Sequence, residues 1–238
     1  SGKGLESAIE ALPPVVKRYP NFLYLIIGET HPVVKEQDGE AYRQSLKKLV
    51  AKHGLTKNVQ FVNQYIPLPK LIEYIRASDL YITPYINMEQ ISSGALAYAV
   101  ATGKLCISTP YRYAKEILAG GRGFLVPPQD PKAIGTAILR SLDNPDAAYR
   151  MRQKCYAQGR MMTWARVGFR YVRMIDHLLP VPIDLTEYLP PSLDHLWFLT
   201  DENGLIEHAA RYQPNLKEGY STDDNARALM VSPNQRAR

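Results

Sequence analysis

The stretch NMEQISSGALAYAVATGKLCISTPYRYAKEIL, residues 87–118, decides how the chain folds. A polar loop leads into an alanine-rich segment that ends before Gly103, and an apolar run follows and stops at Ser-Thr-Pro. A glycine just past an apolar, alanine-rich segment is typical of a helix C-terminus. A short, continuous apolar run is typical of a strand buried on both faces. The stretch therefore predicts a loop, a helix and a buried strand in succession.

The same alternation extends to both sides of this stretch. Apolar strand patterns occupy residues 21–28, 58–63, 79–84 and 122–127, and helical patterns occupy residues 5–18, 42–52, 68–78, 131–142, 145–158 and 164–179. Pro13-Pro14 predicts a break or a second start inside the first helical pattern. Because parallel strands need crossover connections, we predict an α/β fold with a parallel sheet and helices on both faces.

Composition and charge exclude several classes of protein. Apolar residues make up 45% and charged residues 22% of the chain, which is ordinary for a globular protein. No run approaches the ~18 apolar residues that a membrane span needs. The formal net charge is +6, but the basic residues are scattered. This favours anionic small molecules, or peripheral contact with acidic membrane lipids, over nucleic acid as partners.

The two cysteines, Cys106 and Cys155, show no spacing typical of a disulfide framework or a metal site. Cys106 lies in an apolar strand pattern, so a reduced, buried thiol is favoured over a bridge. We therefore expect a cytoplasmic protein.

The segment after residue 179 differs in character from the rest. Residues 180–196 contain four prolines, which predicts a linker. Residues 197–238 are too few for an independent core, and we expect them to be the truncated start of a longer domain. The last seven residues, SPNQRAR, show no pattern, and we expect them to be disordered.

The loop before the alanine-rich helix has the chemistry of an anion-binding site. Ser92 and Ser93 suit the helix N-cap, and Gly94 would let a ligand approach the backbone closely. The free amides and partial positive charge of a helix N-terminus can hold a phosphate. A plain cap is the alternative. Glu89 and Gln90 in the same loop suit the hydroxyls of a sugar, and the strand end after residue 108 brings further polar groups to the same edge of the sheet.

Six motifs in order resemble one known family. They are GETHP, NVQFVNQYIP, ASDLYITPY, EQISSGALAYAVATGK, STPYRYAKEIL and GRGFLVP. Together they resemble the C-terminal, donor-binding domain of a GT-B glycosyltransferase of the family 4 (group 1) type, over residues 1–179. The resemblance implies a Rossmann-like sheet, which is one half of a GT-B fold. It also implies transfer of a sugar from a nucleotide-diphosphate sugar, with retention of configuration and without a metal or other cofactor.

The resemblance carries over to particular residues. The family has two glutamates with seven residues between them, and these positions fall on Gln90, with Glu89 beside it, and on Tyr98. Glu89 or Gln90 is expected to contact the donor sugar, while the carboxylate of the second position is replaced by Tyr98. The family's basic pair is Arg-x4-Lys with a glycine after the lysine, which Lys3-Gly4 matches. The arginine, the first strand and the acceptor-binding domain are then expected before residue 1, in a larger protein.

The resemblance and the position of polar residues in the loops of this edge together imply roles for further candidates. Lys3, Ser92, Ser93 and Gly94 are expected to bind the donor diphosphate. Contacts with the donor nucleoside or sugar are expected from His31, Tyr65, Tyr98 and Glu116. His31 could also be structural, and Glu116 could simply be an acidic residue near a helix start.

The tail resembles a second family. GYSTDDNARAL, residues 219–229, is similar to the opening of an α/α-toroid domain of carbohydrate-active proteins. Asp223 and Asp224 could then be acid/base or sugar-binding carboxylates, although they also suit a helix start.

Three functions remain open at this stage. The first is a glycosyltransferase whose donor half lies in this chain and is inactive in isolation. The second is a nucleotide-sugar epimerase or glycan phosphorylase with the same fold. The third is a noncatalytic scaffold module joined to a toroid partner.

Overall fold

The computed structural model describes residues 2–30, 35, 39–178, 196, 198–201, 203–206, 209–210, 213–215, 219–221 and 225. The chain divides into two compact units, Ser1–Leu178 and Leu179–Arg238. The helices of the first unit are α1 Leu5–Glu10, α2 Leu12–Arg18, α3 Ala41–Lys52, α4 Leu68–Ala77, α5 Gly94–Ala101, α6 Arg112–Ile117, α7 Pro131–Asp143, α8 Pro145–Arg160 and α9 Trp164–Asp176. Its strands are β1 Tyr24–Ile27, β2 Val59–Val62, β3 Leu80–Thr83, β4 Leu105–Ser108 and β5 Gly123–Leu125.

All strand pairs of the first unit are parallel, as predicted. β1 pairs with β2, with Tyr24 opposite Val59. β4 lies between β3 and β5, with Leu80 opposite Leu105 and Cys106 opposite Gly123. The described strands thus form two separate parallel sheets, β1-β2 and β3-β4-β5, rather than a single one. That a further first strand precedes residue 1 stays a prediction.

Helices cover both faces of the sheet at β4. All four residues of β4 are buried. Leu105 and Ile107 belong to a core cluster that includes residues of α1, α2, α3 and α7. Cys106 belongs to a second cluster with residues of α5, α6 and α8. Since neighbouring residues of a strand point to opposite faces, the two clusters lie on opposite sides of the sheet. The predicted α/β architecture is confirmed.

The ends of the helices follow the sequence signals. The first helical pattern breaks as predicted, because α1 ends at Glu10 and α2 begins at Leu12 with prolines in its first turn. The Asp130 carboxylate caps α7 by accepting a hydrogen bond from the amide of Ala133 at 2.9 Å. Gly103, with φ of +73°, follows the end of α5 in the left-handed conformation that glycine adopts readily.

The described residues of the second unit include short antiparallel strand pairs that the sequence did not predict. β6 Thr200–Asp201 pairs with β7 Gly204–Leu205, and β8 Ala209–Ala210 pairs with β9 Gln213–Pro214. The Asn225 side chain accepts a hydrogen bond from the amide of Leu205 at 2.7 Å and donates one to its carbonyl at 3.0 Å. Most of the predicted linker, Asp223, Asp224 and the last seven residues lie outside the described residues.

Within the part of the chain that the structure describes, no helix is long and apolar enough to cross a membrane. Peripheral membrane contact stays a prediction.

Candidate functional site

The site begins with hydroxyl groups at the carboxyl ends of β3 and β4. Thr83 Oγ1 donates a hydrogen bond to Ser108 Oγ at 2.9 Å, and Ser108 Oγ donates to the Thr109 carbonyl at 2.9 Å. Thr109 Oγ1 donates to the Tyr85 carbonyl at 2.6 Å. Thr83, Ser108 and Thr109 are all buried. These bonds hold the two strand ends together at the edge where α/β sheets bind their ligands.

The N-terminus of α5 opens at the same edge. Ser93 is buried, and its Oγ accepts a hydrogen bond from the amide of Leu96 at 3.4 Å, so it is the predicted N-cap. Ser92 and Gly94 are exposed, and a Cβ atom added at Gly94 would meet no heavy atom within 4 Å. A ligand can therefore approach the backbone amides at the start of α5 closely.

The structure brings Lys3 to this edge from the other end of the unit. The Gly2 carbonyl accepts a hydrogen bond from the amide of Ile86 at 3.0 Å. Gly4, with φ of +64°, lies against Pro84 so closely that an added Cβ would be 2.0 Å from the Pro84 carbonyl oxygen. Lys3 Nζ lies 4.4 Å from the centre of the Tyr85 ring. The structure thus places Lys3 beside the start of the loop that leads to α5, and its role in binding a diphosphate stays a prediction.

The loop before α5 is tied to the start of α6. The Glu89 carboxylate forms an ion pair of 2.9 Å with Arg112, and both side chains are largely exposed. The amide of Arg112 donates to the Met88 carbonyl at 3.1 Å, and the amide of Tyr113 donates to the Gln90 carbonyl at 3.3 Å. The Gln90 side-chain amide donates to the Ser92 carbonyl at 2.8 Å. Glu89 is thus the exposed carboxylate of this loop, while the Gln90 side chain supports the loop itself.

One sequence expectation is wrong. Glu116 does not lie near a helix start, because α6 spans Arg112–Ile117 and Glu116 is its penultimate residue. Its charge therefore lies at the end of the helix where the dipole favours cations. Tyr111 is the N-cap of α6.

The remaining predicted residues are less closely grouped. Tyr98 lies one turn into α5 and is 37% exposed. Tyr65 follows β2, in the other sheet, and is 77% exposed. His31 lies outside the described residues. None of the described residues forms a group of three or more His, Cys, Asp or Glu that could hold a metal ion. That transfer needs no metal or cofactor stays a prediction.

Two residues beside the site, Tyr85 and Tyr111, were not predicted from the sequence. Their rings stack with centres 5.2 Å apart and an angle of 21° between the planes. Tyr111 is fully buried, and its hydroxyl has no hydrogen-bond partner of normal geometry among the described residues. Burial raises the pKa of Tyr111, and the neighbouring hydroxyls of Thr83, Ser93 and Ser108 oppose that shift. The sequence did carry a signal, since Thr-Pro-Tyr occurs at the carboxyl ends of both β3 and β4, at residues 83–85 and 109–111.

A comparison with known families decides the identification. A family model described as Glycosyl transferases group 1 matches residues 1–161. The chain belongs to this family. The predicted resemblance is thereby confirmed for the first unit, whereas the resemblance of the tail to a toroid domain stays a prediction.

Relatives of this group 1 chain are glycosyltransferases by name. An uncharacterized glycosyltransferase of Methanocaldococcus jannaschii is 29% identical over 143 residues, which cover 60% of this chain and 33% of the relative. The phosphatidyl-myo-inositol mannosyltransferase of Mycolicibacterium smegmatis is 23% identical over 176 residues, covering 73% of this chain and 42% of the relative. The chain therefore spans less than half of the length of these relatives.

Solved structures show the same GT-B half. Sucrose-phosphate synthase from Thermosynechococcus elongatus matches with a TM-score of 0.62 at 23% identity, over 74% of this chain and 42% of that one. Anabaena HepE in complex with UDP-glucose matches with a TM-score of 0.62 at 16% identity, over 74% of this chain and 46% of that one. The similarity confirms the fold.

Proposed function

We propose that this chain is the donor-binding half of a glycosyltransferase and binds a nucleotide-diphosphate sugar. The observation that supports this most strongly is the meeting of Lys3 with the α5 loop at one edge of the sheet. Ile86, Pro84 and Tyr85 each contact the segment around Lys3, and the same loop continues to Ser93 and Gly94. The structural relative HepE was solved with UDP-glucose, which agrees with a donor of this class.

The chemistry of the reaction fits these groups. Transfer breaks the bond between the anomeric carbon of the sugar and a diphosphate oxygen, and forms a bond from that carbon to the oxygen of an acceptor hydroxyl, whose proton passes to the leaving diphosphate. Negative charge develops on the leaving diphosphate as the bond breaks. The Lys3 ammonium and the free amides at the start of α5 are oriented beforehand and can stabilise that charge. We propose that transfer is metal-independent on this ground, and that it proceeds with retention as the family resemblance implies.

Each remaining residue of the loop has a proposed role. The exposed Glu89 carboxylate accepts hydrogen bonds from hydroxyls of the donor sugar. Ser92 and Gly94 offer backbone amides to the diphosphate. Gln90 contributes by holding the Ser92 carbonyl. The family resemblance implies a carboxylate for the nucleoside at the position of Tyr98. Because Tyr98 has no carboxylate, its contact with the donor must differ in chemistry from the one that the resemblance implies.

Membership of a glycosyltransferase family supports transfer over the alternatives. An epimerase or phosphorylase of the same fold would bind the same or a related donor, and a scaffold module would bind none. The same proposal includes three further points. The transferase has an acceptor substrate, a second domain closes the cleft, and the protein is cytoplasmic. We expect no turnover by this chain alone, because the cleft of a GT-B enzyme needs two walls.

The first experiment is a titration of the chain with UDP, GDP and ADP, followed by calorimetry and amide chemical shifts. We expect one nucleotide to bind saturably and to shift the amides of Ser92, Ser93 and Gly94. Gly94→Val should weaken that binding by about tenfold or more, because the side chain obstructs the approach to the amides.

Gly168→Val is the matched control. Gly168 lies on α9, and a Cβ atom there also meets nothing within 4 Å. Unchanged affinity in a folded Gly94→Val variant would remove the α5 loop from the site. If the wild-type chain binds no nucleotide, the same titration of a longer protein that includes the preceding domain decides the proposal, and absence of binding there would refute it.

A further inference from the structure

Lys3 lies over an aromatic side chain that is itself firmly held. Its Nζ is 4.4 Å from the centre of the Tyr85 ring, within the range of a cation–π contact. The Tyr85 ring also stacks on the ring of Tyr111, with the ring centres 5.2 Å apart, and Tyr111 is fully buried. The Tyr85 carbonyl also accepts the short hydrogen bond from Thr109 Oγ1. Tyr85 is therefore fixed through both its side chain and its backbone.

The backbone on each side of Lys3 is fixed to the same segment. Gly2 accepts the hydrogen bond from Ile86, and Gly4 packs against the carbonyl of Pro84. Lys3 thus starts from a set position directly beside the residue whose ring it covers. A lysine side chain has several rotatable bonds, so its ammonium is positioned only if something also holds its far end.

We propose that Tyr85 is a positioning residue that holds the Lys3 ammonium for the donor diphosphate, with Tyr111 as its buried support. The proposal rests on the proposed function of the site. An aromatic face attracts an ammonium group without adding a negative charge, so this contact leaves the positive charge of Lys3 available to a phosphate. A carboxylate in the place of Tyr85 would orient Lys3 equally well but would repel the diphosphate.

The same pair of rings connects Lys3 to the end of α5. The buried hydroxyl of Tyr111 lies beside the hydroxyl of Ser93, which caps this helix. The stacked rings of Tyr85 and Tyr111 thus extend from the Lys3 ammonium towards the start of α5, and these are the two groups proposed to bind the diphosphate. Tyr85 is proposed to act through Lys3 and not by touching the ligand itself.

A double-mutant cycle tests the proposal in this chain. The variants are Tyr85→Phe, Tyr85→Leu and Lys3→Met, together with the double variant of Tyr85→Leu and Lys3→Met. The probe is the nucleoside diphosphate that the wild-type chain binds. Tyr85→Phe keeps the aromatic face and should bind like wild type, whereas Tyr85→Leu should lose about two- to fivefold in affinity, the effect of an exposed cation–π contact. In the Lys3→Met background, Tyr85→Leu should cause no further loss.

A second measurement follows Lys3 without any nucleotide. Protons above an aromatic ring resonate at higher field, so the Lys3 ε-methylene signals should be shifted upfield in the wild type and in Tyr85→Phe. They should return to ordinary lysine positions in Tyr85→Leu. A general loss of structure would also move signals of distant residues, so the methyl signals of the β4 core serve as the control for folding.

The outcomes separate this inference from the proposed function. If a nucleotide binds and Tyr85→Leu weakens it only when Lys3 is present, the proposal is supported. If a nucleotide binds but Tyr85→Leu matches Tyr85→Phe, or acts equally in the Lys3→Met background, Tyr85 is not a positioning residue although the donor site stands. If no nucleotide binds to this chain or to a longer protein, both proposals fall together.

Discussion

Glu89 and Arg112 form an ion pair of 2.9 Å that joins the loop before α5 to the first residue of α6. Both side chains are largely exposed, and such pairs contribute only about 0–1 kcal/mol to stability. Two backbone hydrogen bonds, from Arg112 to Met88 and from Tyr113 to Gln90, connect the same segments independently of the side chains. The ion pair therefore directs the Glu89 carboxylate more than it holds the fold.

A substitution at Glu89 tests whether this residue contacts the sugar or the nucleotide part of the donor. Glu89→Gln should leave the free energy of unfolding within about 1 kcal/mol of wild type, because the ion pair is exposed. It should weaken binding of the nucleotide-sugar by about tenfold, since a carboxylate accepts stronger hydrogen bonds from hydroxyls than an amide does. Affinity for the nucleoside diphosphate alone should not change, and calorimetry with both ligands measures the difference. Arg112→Gln keeps the carboxylate but removes the ion pair that directs it, so this variant should lose less affinity for the nucleotide-sugar than Glu89→Gln does. An equal loss for both ligands in Glu89→Gln would contradict the sugar contact.

Gly4 should tolerate no side chain. Gly4→Ala places a Cβ 2.0 Å from the Pro84 carbonyl oxygen at a residue with φ of +64°. The left-handed conformation costs about 1–2 kcal/mol, and the overlap adds about 1–3 kcal/mol. We expect urea unfolding to show a loss of more than about 2 kcal/mol. Gly2 is exposed, and a Cβ atom added there would meet no heavy atom within 4 Å. The free energy of unfolding of Gly2→Ala should therefore stay within about 0.5 kcal/mol of wild type. A neutral Gly4→Ala would mean that the segment around Lys3 does not pack on Pro84.

Replacing two helical glycines by alanine should change the free energy of unfolding in opposite directions. An added Cβ at Gly159 on α8 would lie 2.4 Å from Ala101 Cα on α5, so Gly159→Ala should separate these helices and cost about 1–3 kcal/mol. Gly168→Ala on α9 meets nothing within 4 Å and should stabilise by about 0.5–1 kcal/mol through helix propensity. Thermal and urea unfolding of both variants test the pair. Equal effects at the two positions would show that α8 does not pack closely on α5.

The Cys106 thiol should be unreactive in the folded protein. Cys106 and Cys155 are free and buried. The pKa of Cys106 lies well above its usual value because of its hydrogen bond with Cys155 and because of burial. The thiolate is the reactive form, so a thiol reagent at pH 8 should label Cys106 only as the protein unfolds. Cys155→Ser should leave Cys106 protected, since burial remains; rapid labelling of Cys106 in the folded protein would contradict its place in the core.

Much of the fold could be predicted because it depends on local patterns. The four buried residues of β4 form a continuous apolar run, and the Ser93 cap precedes an alanine-rich segment. Pro13 and Pro14 marked the second start of the first helical pattern. The helix start expected near Glu116 was wrong, because α6 begins at Arg112, where backbone hydrogen bonds join its first turn to the loop before α5. The β6–β7 and β8–β9 pairs are two residues long, which is too short for a period of two to be seen.

In the site, too, some features follow from local sequence patterns and others only from tertiary contacts. The sequence by itself determined the alternation of strands and helices, the parallel sheet and the polar residues at the strand ends, because side-chain periodicity and capping act between residues close in the chain. The sequence also contained the repeated Thr-Pro-Tyr, but the contact between its two tyrosines could not be predicted from it. Only the tertiary structure decided that the two tyrosines stack and that Lys3 lies over one of them, since strand register and core packing bring together segments that are distant in sequence.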